Sequence, residues 1–388
     1  MSTAELPRDI RGRITDIQWV CRTRRPPSSS LMSRTMTIAD LFCGCGGLTL
    51  GACEAARQSG IQTKIALAVD LSRNALAVYQ NNFLRSGTQQ EDLSLLLGSP
   101  GESILDSERR LSASVKSISL MLAGPPCQGH SDLNNSSRRH DPRNLLYLKV
   151  VRAAELFRPS VVLIENVPTV VHDKTNVVRR AKEWLCDFGY NVDDGIVSAL
   201  RVGVPQNRRR HILVGSLAEK FCVAEFVEQL PRTDATLGDF LSGLEDEPET
   251  RTEAYYRPSR PTKTNADRIR YLFEHDIHDL PNSRRPACHR DKVHAYMSMY
   301  GRMHWDRPAQ TLTSGFGSMG QGRYVHPTRP RLITPHEGAR IQGFPDFFDF
   351  GGIESVTALR EMIANAVPPQ LSATFVAEFL RRKLIALQ

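Results

Sequence analysis

The feature that most narrows the possible folds lies between Ile38 and Ser59. A short apolar run, Ile38-Ala-Asp-Leu-Phe42, meets the turn Cys43-Gly-Cys-Gly-Gly47, and a segment with Leu48, Ala52, Ala55 and Ala56 on one side follows. The first reads as a buried strand and the last as a helix, because the apolar pattern changes from continuous to helical across the glycines. The alternation then repeats. Lys64-Ile-Ala-Leu-Ala-Val69 reads as a strand ending at Asp70, and Ser72 as the cap of a helix bearing Leu76, Tyr79 and Phe83. Further strands are expected at Ser117 to Leu122, Ser160 to Ile164 and His211 to Val214, with helices from Leu145 to Phe157 and around Val177 to Phe188. Strands and helices in this order predict an α/β fold: an open, largely parallel sheet covered on both faces, with ligands beyond the carboxyl ends of its strands.

After Ser216 the alternation fades. From Phe221 to Pro330 the chain is rich in Arg, Pro, Tyr, His and Gly, and no helix pattern persists, so a second region of irregular loops is expected. A last helix from about Gln370 to Leu387 should return to the first region. The opening residues contain Arg22-Thr-Arg-Arg-Pro-Pro-Ser-Ser-Ser and read as an arm outside the core. The expected division is therefore a basic arm over 1–35, a catalytic and cofactor-binding domain over 36–220, a recognition domain over 221–345 and a returning segment over 346–388.

Charge points to a partner. The chain carries a formal net charge of +8, and the stretch from Arg251 to Arg340 alone holds 16 basic and 8 acidic residues. A surplus concentrated in one stretch suits a polyanion-binding surface, although any single basic run can be a solvated face. No run approaches the ~18 apolar residues of a membrane span, and the N-terminus lacks the apolar core of a signal peptide, so a cytoplasmic protein without membrane contact is expected. The 8 cysteines are too scattered for a disulfide framework or a zinc ribbon. They should be reduced thiols, with Cys43, Cys45 and Cys53 as small buried side chains and no metal site.

Three strand ends carry chemistry. The glycine turn followed by an acid, Asp70, at the end of the next strand is the layout for an adenosine-containing cofactor: glycines admit the ligand to the backbone and the carboxylate accepts from two ribose hydroxyls. A nicotinamide cofactor is the alternative, but the turn lacks the Gly-x-Gly-x-x-Gly spacing. In Gly124-Pro-Pro-Cys-Gln-Gly129 the prolines fix the backbone before Cys127, which suits an aimed nucleophile better than a structural cysteine. The polar run from His130 to His140 reads as a phosphate-seeking loop. Glu165, at the end of the following strand, is a candidate general acid.

The segments DLFCGCGG, GPPCQG, ENV and VPQNRRRHILVG, in that order, resemble the motifs of bacterial DNA cytosine-5 methyltransferases. RPAQTLTSG, RLITPHEGARIQGFPDFF and ANAVPPQL resemble the end of that family's recognition domain and its closing cofactor motif. The resemblance spans about Thr37 to Leu380. It implies a Rossmann-like S-adenosylmethionine-dependent methyltransferase domain with a smaller, irregular target-recognition domain, acting on a flipped-out cytosine in a specific duplex DNA sequence. By resemblance Cys127 is the nucleophile, Glu165 engages ring nitrogen 3, Arg210 holds the ring oxygen and Arg208 supports the acid. Gln206 would brace the junction with the second domain. S-adenosylmethionine would contact Phe42, Gly44, Gly46, Asp70, Asp92, Pro126, Asn365 and Val367. Duplex DNA bound by a monomer is the implied partner, together with a cognate endonuclease if the enzyme serves restriction and modification. Three positions depart from the family pattern: Ala364 precedes Asn365 where Gly is usual, Asp70 replaces the commoner Glu, and His130 stands where an apolar residue is frequent. The alternatives are a cytosine-5 methyltransferase acting on tRNA, whose Cys-Phe-Thr signature this chain lacks, and a noncatalytic DNA-binding module on the same fold.

Overall fold

The computed structural model describes residues 17–26, 33–83, 87–126, 142–244, 251–290 and 299–388. Its first element is a single helical turn, α1 (Ile17–Val20). The expected strand–turn–helix follows as β1 (Thr35–Leu41) and α2 (Gly47–Gln58), and then β2 (Gln62–Asp70), α3 (Arg73–Asn82) and β3 (Thr88–Gln90). Ser72 caps α3 as anticipated, its hydroxyl accepting from the Ala75 amide at 3.3 Å. The chain continues through α4 (Asp106–Ser114), β4 (Leu120–Ala123), α5 (Leu146–Phe157), β5 (Val161–Asn166), α6 (Val177–Asp187) and β6 (Asn191–Ser198).

Strands β7 (Gln206–Asn207) and β8 (Arg209–Ser216) complete the first half. Seven strands form one sheet in the order β3-β2-β1-β4-β5-β8-β6. The contacts from β3 across to β5 are parallel, whereas β8 runs antiparallel to both β5 and β6. Strand β6 was not anticipated, because Asp193-Asp194-Gly195 interrupts its apolar pattern. It is an edge strand, where charged side chains discourage pairing with another chain. Those charges have partners: Lys182 and His211 pair with Asp194, and Asp193 accepts from the Val223 amide.

Alternation along the central strands divides the core into two faces. Ile38, Leu120, Leu122, Val161 and Leu163 join α2 on one side. Met121, Ala123, Val162 and Ile164 face α5 and α6 on the other. The second half adds α7 (Lys263–Glu274), β9 (Ala309–Gln310), α8 (Pro335–Ile341), α9 (Val356–Asn365) and α10 (Pro369–Arg381). Helix α7 lies where no helix was expected. It buries only Ile269 and Leu272 fully, too thin a stripe to stand out among its charged residues.

The chain's end returns as anticipated, with Phe375 and Phe379 of α10 in the α2-side core. The helix stops at Arg381, and the last residues instead extend β1: Thr35 and Gln388 exchange backbone hydrogen bonds at 2.8 and 2.9 Å. Among the described residues, no helix is long and apolar enough to cross a membrane, and no group of three or more His, Cys, Asp or Glu is arranged to hold a metal.

Residues 17–26 depart from the expectation of an arm outside the core. Trp19 and Val20 are fully buried, with Trp19 edge-on to Phe347 at 5.4 Å between ring centroids. The Asp346 and Phe347 amides donate to the Val20 and Arg22 carbonyls, and Arg25 donates to the Asn82 carbonyl at the end of α3. The segment straps the end of α3 to the returning chain. Truncating a buried Trp costs about 3–5 kcal/mol, and among the described residues the Trp19 indole N–H has no partner whose loss would add to this. Trp19→Ala should therefore destabilise by about 3 kcal/mol in denaturant unfolding. A loss below ~0.5 kcal/mol, the scale of a surface change, would show that the strap does not support the fold.

Candidate active site

The carboxyl ends of β1, β2, β4 and β5 meet at one edge. At the end of β1 the chain turns sharply: Phe42, Gly44 and Gly46 all have positive φ, at 57°, 54° and 97°. Glycine is required at 46, since a Cβ there would lie 2.4 Å from the Phe83 ring. The Gly44 position opens outward, with nothing within 4 Å of where a Cβ would be, so its backbone is accessible to a ligand.

Asp70 holds this turn. One carboxylate oxygen accepts from the Gly44 amide and the other from the Ser72 amide, each at 2.8 Å. Burial pushes its pKa up, against the pull of those backbone hydrogen bonds. Each oxygen can still accept a further hydrogen bond, which is what two ribose hydroxyls need. Asp92 lies two residues beyond β3 at the same edge, half-buried, where its carboxylate accepts from the Ser94 amide at 2.8 Å and caps a short helical turn.

Beneath the turn sits a group the sequence did not single out. Asp40 is fully buried; it accepts from the Thr49 hydroxyl at 2.6 Å, and that hydroxyl is 2.9 Å from the Tyr79 phenol. Its other carboxylate oxygen has no partner among the described residues. Burial therefore pushes its pKa up to about 7. The neighbouring thiols move the same way, again chiefly through burial: Cys45 to about 12 and Cys53 to about 11. They are neutral packing residues, as expected.

On the other side of the edge, Glu165 is nearly buried, and the Arg210 Nε lies 2.6 Å from its carboxylate. The strand pairing explains why they meet. Glu165 stands opposite Ile212, so it shares a sheet face with Ile212 and, two residues away, Arg210. Gly124 lies between this pair and the glycine turn: its Cβ position is 3.8 Å from Glu165, 3.9 Å from the Phe42 carbonyl and 3.9 Å from Val367. Phe42, Glu165 and Val367 thus surround one point. Asn166, which the sequence reading passed over, donates to the Pro125 carbonyl at 3.2 Å and fixes the backbone just before Pro126. Cys127 and the loop from His130 to His140 lie outside the described residues.

Arg208 is buried, and its hydrogen bonds include the carbonyls of Leu312 at 3.3 Å, Ala364 at 3.1 Å and Ala366 at 3.3 Å. Gln342 donates to the Ile363 and Ala366 carbonyls at 2.8 and 2.9 Å. Together they grip the backbone on both sides of Asn365, whose own side chain is exposed. Gln206 does join the two halves: it donates to Gln342 at 2.7 Å and accepts from the Leu312 amide at 3.1 Å.

Comparison with known proteins decides what this edge belongs to. The family model for C-5 cytosine-specific DNA methylases matches residues 36–381. The Type II methyltransferase M1.BsuMI of Bacillus subtilis is 43% identical over 382 residues, covering 98% of this chain and 88% of the relative. The chain belongs to the C-5 cytosine-specific DNA methylases.

A more distant relative, the Type II methyltransferase M.DdeI of Desulfomicrobium norvegicum, is 26% identical over 380 residues, covering 87% of this chain and 86% of its own. The crystal structure of a prophage-encoded protein from E. coli, assigned to the DNA modification methyltransferases, aligns with a TM-score of 0.61 and 26% identity over 89% of this chain and 99% of that one. The S. pombe Dnmt2 methyltransferase aligns with a TM-score of 0.62 over 90% of this chain and 99% of its own, and at 16% identity it shows the fold alone. The protein is thus an α/β, Rossmann-like methylase, and the expected activity stands.

The buried acid of this methylase has a measurable signature. A carboxyl whose pKa is raised by folding binds its proton more tightly in the native state, so its contribution is complete below the unfolded value and is lost as pH rises through the folded one. Between pH ~4 and 7, Asp40 should therefore make the protein less stable as pH increases. An asparagine side chain mimics the protonated carboxyl, so in unfolding curves across that window the wild type should fall progressively below Asp40→Asn in stability, the variant lacking this slope. Parallel curves would mean that Asp40 is ionised throughout.

Proposed function

We propose that this methylase transfers the methyl group of S-adenosylmethionine to carbon 5 of a cytosine rotated out of duplex DNA, with Cys127 as the nucleophile. The observation that carries the reading is the Glu165–Arg210 pair, 2.6 Å apart, across Gly124 from the glycine turn. The residues fit the cofactor. Asp70 retains acceptor capacity for the ribose, Gly44 exposes its backbone, and Phe42, Gly46, Asp92, Pro126, Asn365 and Val367 would complete the site. When bound, S-adenosylmethionine supplies an electrophilic methyl group.

The chain's own side chains must make carbon 5 reactive toward it. A thiolate from Cys127 adding to carbon 6 turns carbon 5 into an enamine-like nucleophile. Glu165, hydrogen bonded to ring nitrogen 3, disperses the charge that addition creates, and Arg210 at the ring oxygen stabilises the same charge. Loss of the carbon 5 proton then lets the thiolate leave. Arg208 acts indirectly by holding the segment that carries Asn365. A free thiol near pKa 8.5 is only about 3% thiolate at pH 7, so the Cys127 proton must be lost during attack or drawn off by nearby positive charge.

The division of labour follows the fold. Residues 36–220 with the returning segment 346–388 carry the cofactor and the chemistry, and 221–345 reads the DNA. The target carbon is shielded inside a stacked duplex, and flipping costs a few kcal/mol that phosphate contacts must offset. We place the protein in the cytoplasm, acting as a monomer on DNA, with a cognate endonuclease as its functional counterpart.

With labelled S-adenosylmethionine, wild type should label duplex DNA and leave tRNA unlabelled, whereas Cys127→Ser should lose transfer by several orders of magnitude and keep DNA binding. DNA carrying 5-fluorocytosine should trap a denaturation-resistant adduct, because fluorine cannot leave as the proton does. Labelling of tRNA alone would move the substrate to RNA, and transfer by Cys127→Ser at the wild-type rate would remove Cys127 from the mechanism.

A further inference from the structure

A pocket lies on the two-stranded ribbon of β7 and β9, next in the chain to Arg208 and Arg210. The register sets its chemistry. Gln206 pairs with Ala309, both buried, and Asn207 pairs with Gln310 one residue on. In a parallel pair, partners share a face, so Asn207 and Gln310 project together from the opposite side, where they are exposed and half-buried. They line the pocket with His304 and Arg307. The side chains of Asn207, Gln310 and Arg307 have no hydrogen-bond partner among the described residues, although each could satisfy several.

The ribbon is held rigidly. The Ala309 amide donates to the Pro205 carbonyl at 2.7 Å, and the Thr311 hydroxyl donates to the Asn207 carbonyl at 2.6 Å. Behind the pocket, Arg323 is fixed by the His278 carbonyl at 2.9 Å and by Asp279 at 2.6 Å, and the His304 ring stacks on His278 at 3.8 Å between centroids. Burial lowers the His304 pKa. Among the described residues that line the pocket, Arg307 is an exposed cation whose donors have no partner.

We propose that this pocket reads the edge of a purine flanking the target cytosine, with the paired carboxamides of Asn207 and Gln310 contacting the base and Arg307 holding the adjoining phosphate. The proposal rests on the assignment of duplex DNA as substrate. A carboxamide offers one acceptor beside two donors, the complement of the amino group and ring nitrogen of adenine in the major groove, and a two-stranded ribbon fits that groove. A pocket for phosphate alone would call only for donors; two side-by-side carboxamides on one rigid face match a base edge better. Only Arg208 and Arg209 separate Asn207 from Arg210 at Glu165, so the flanking position is coupled to the flipped base through one short stretch of chain.

The test uses wild-type protein and a pool of duplexes with randomised sequence around cytosine, read by bisulfite sequencing, with Asn207→Ala, Gln310→Ala, the double variant and Arg307→Ala assayed alongside. The alanine variants at 207 and 310 should lose discrimination about tenfold or more at one flanking position, leaving other positions and the salt dependence of binding unchanged. Arg307→Ala should weaken all sequences alike and reduce the salt slope by about one. Thermal melting of each variant reports folding separately. Unchanged preference at every position, or activity lost evenly over all sequences by variants at 207 and 310 that melt as wild type does, would overturn the proposal. Wild type that methylates no member of the pool would instead overturn the assignment of DNA as substrate.

Discussion

The structure depends on one close approach: the backbone of the returning chain lies directly against the glycine turn. A Cβ on Gly47 would stand 2.1 Å from the Val367 carbonyl oxygen, and one on Gly51 would stand 1.9 Å from the Pro369 carbonyl. These neighbours are backbone and cannot swing aside. Only hydrogen at both positions lets α10 lie along α2, where Ser372 donates to the Leu48 carbonyl at 2.7 Å. The returning segment therefore packs directly on the glycine turn, and Asn365 and Val367 stand beside it because two glycines near residue 50 leave them room.

That contact is fixed from below by a buried polar network. Arg208 and Gln342, from two distant parts of the sequence, donate to the carbonyls around Asn365, and Gln206 donates to the Gln342 side chain. Buried polar groups are costly when unpaired, so a network of this kind favours one arrangement over near alternatives. It also ties the segment joining β7 to β8 to the second half of the chain, because Leu312 bonds to both Gln206 and Arg208. A shift of the segment around Leu312 would be felt at the chain segment that carries Arg210.

The strand-end residues were legible because they depend on local order. A strand, a glycine turn and an acid place Asp70, and an apolar run ending in Glu-Asn places Glu165. The bracing was not legible: Arg208 meets Ala364 across 156 residues, and nothing in Gln-Asn-Arg announces carbonyls as its partners. Strand β6 was hidden by its aspartates, and Trp19 by the basic, proline-rich composition around it. The charge argument needs revision too. Several arginines of the basic stretch have internal partners: Arg302 with Asp276, Arg323 with Asp279, and Arg331 with Glu337. The surplus of the stretch is real, but part of it is taken up by internal ion pairs, and the groups free to meet DNA are fewer than composition implies.

The central claim is that the seat of the returning chain on the glycine turn makes the cofactor site. Titration calorimetry of S-adenosylmethionine against wild type and Gly47→Ala tests it most directly. The added methyl group should displace the Val367 segment and weaken binding by about tenfold or more, or ~1.4 kcal/mol per factor of ten, while circular dichroism shows the sheet and helices intact. Equal affinity in a folded Gly47→Ala protein would contradict the account.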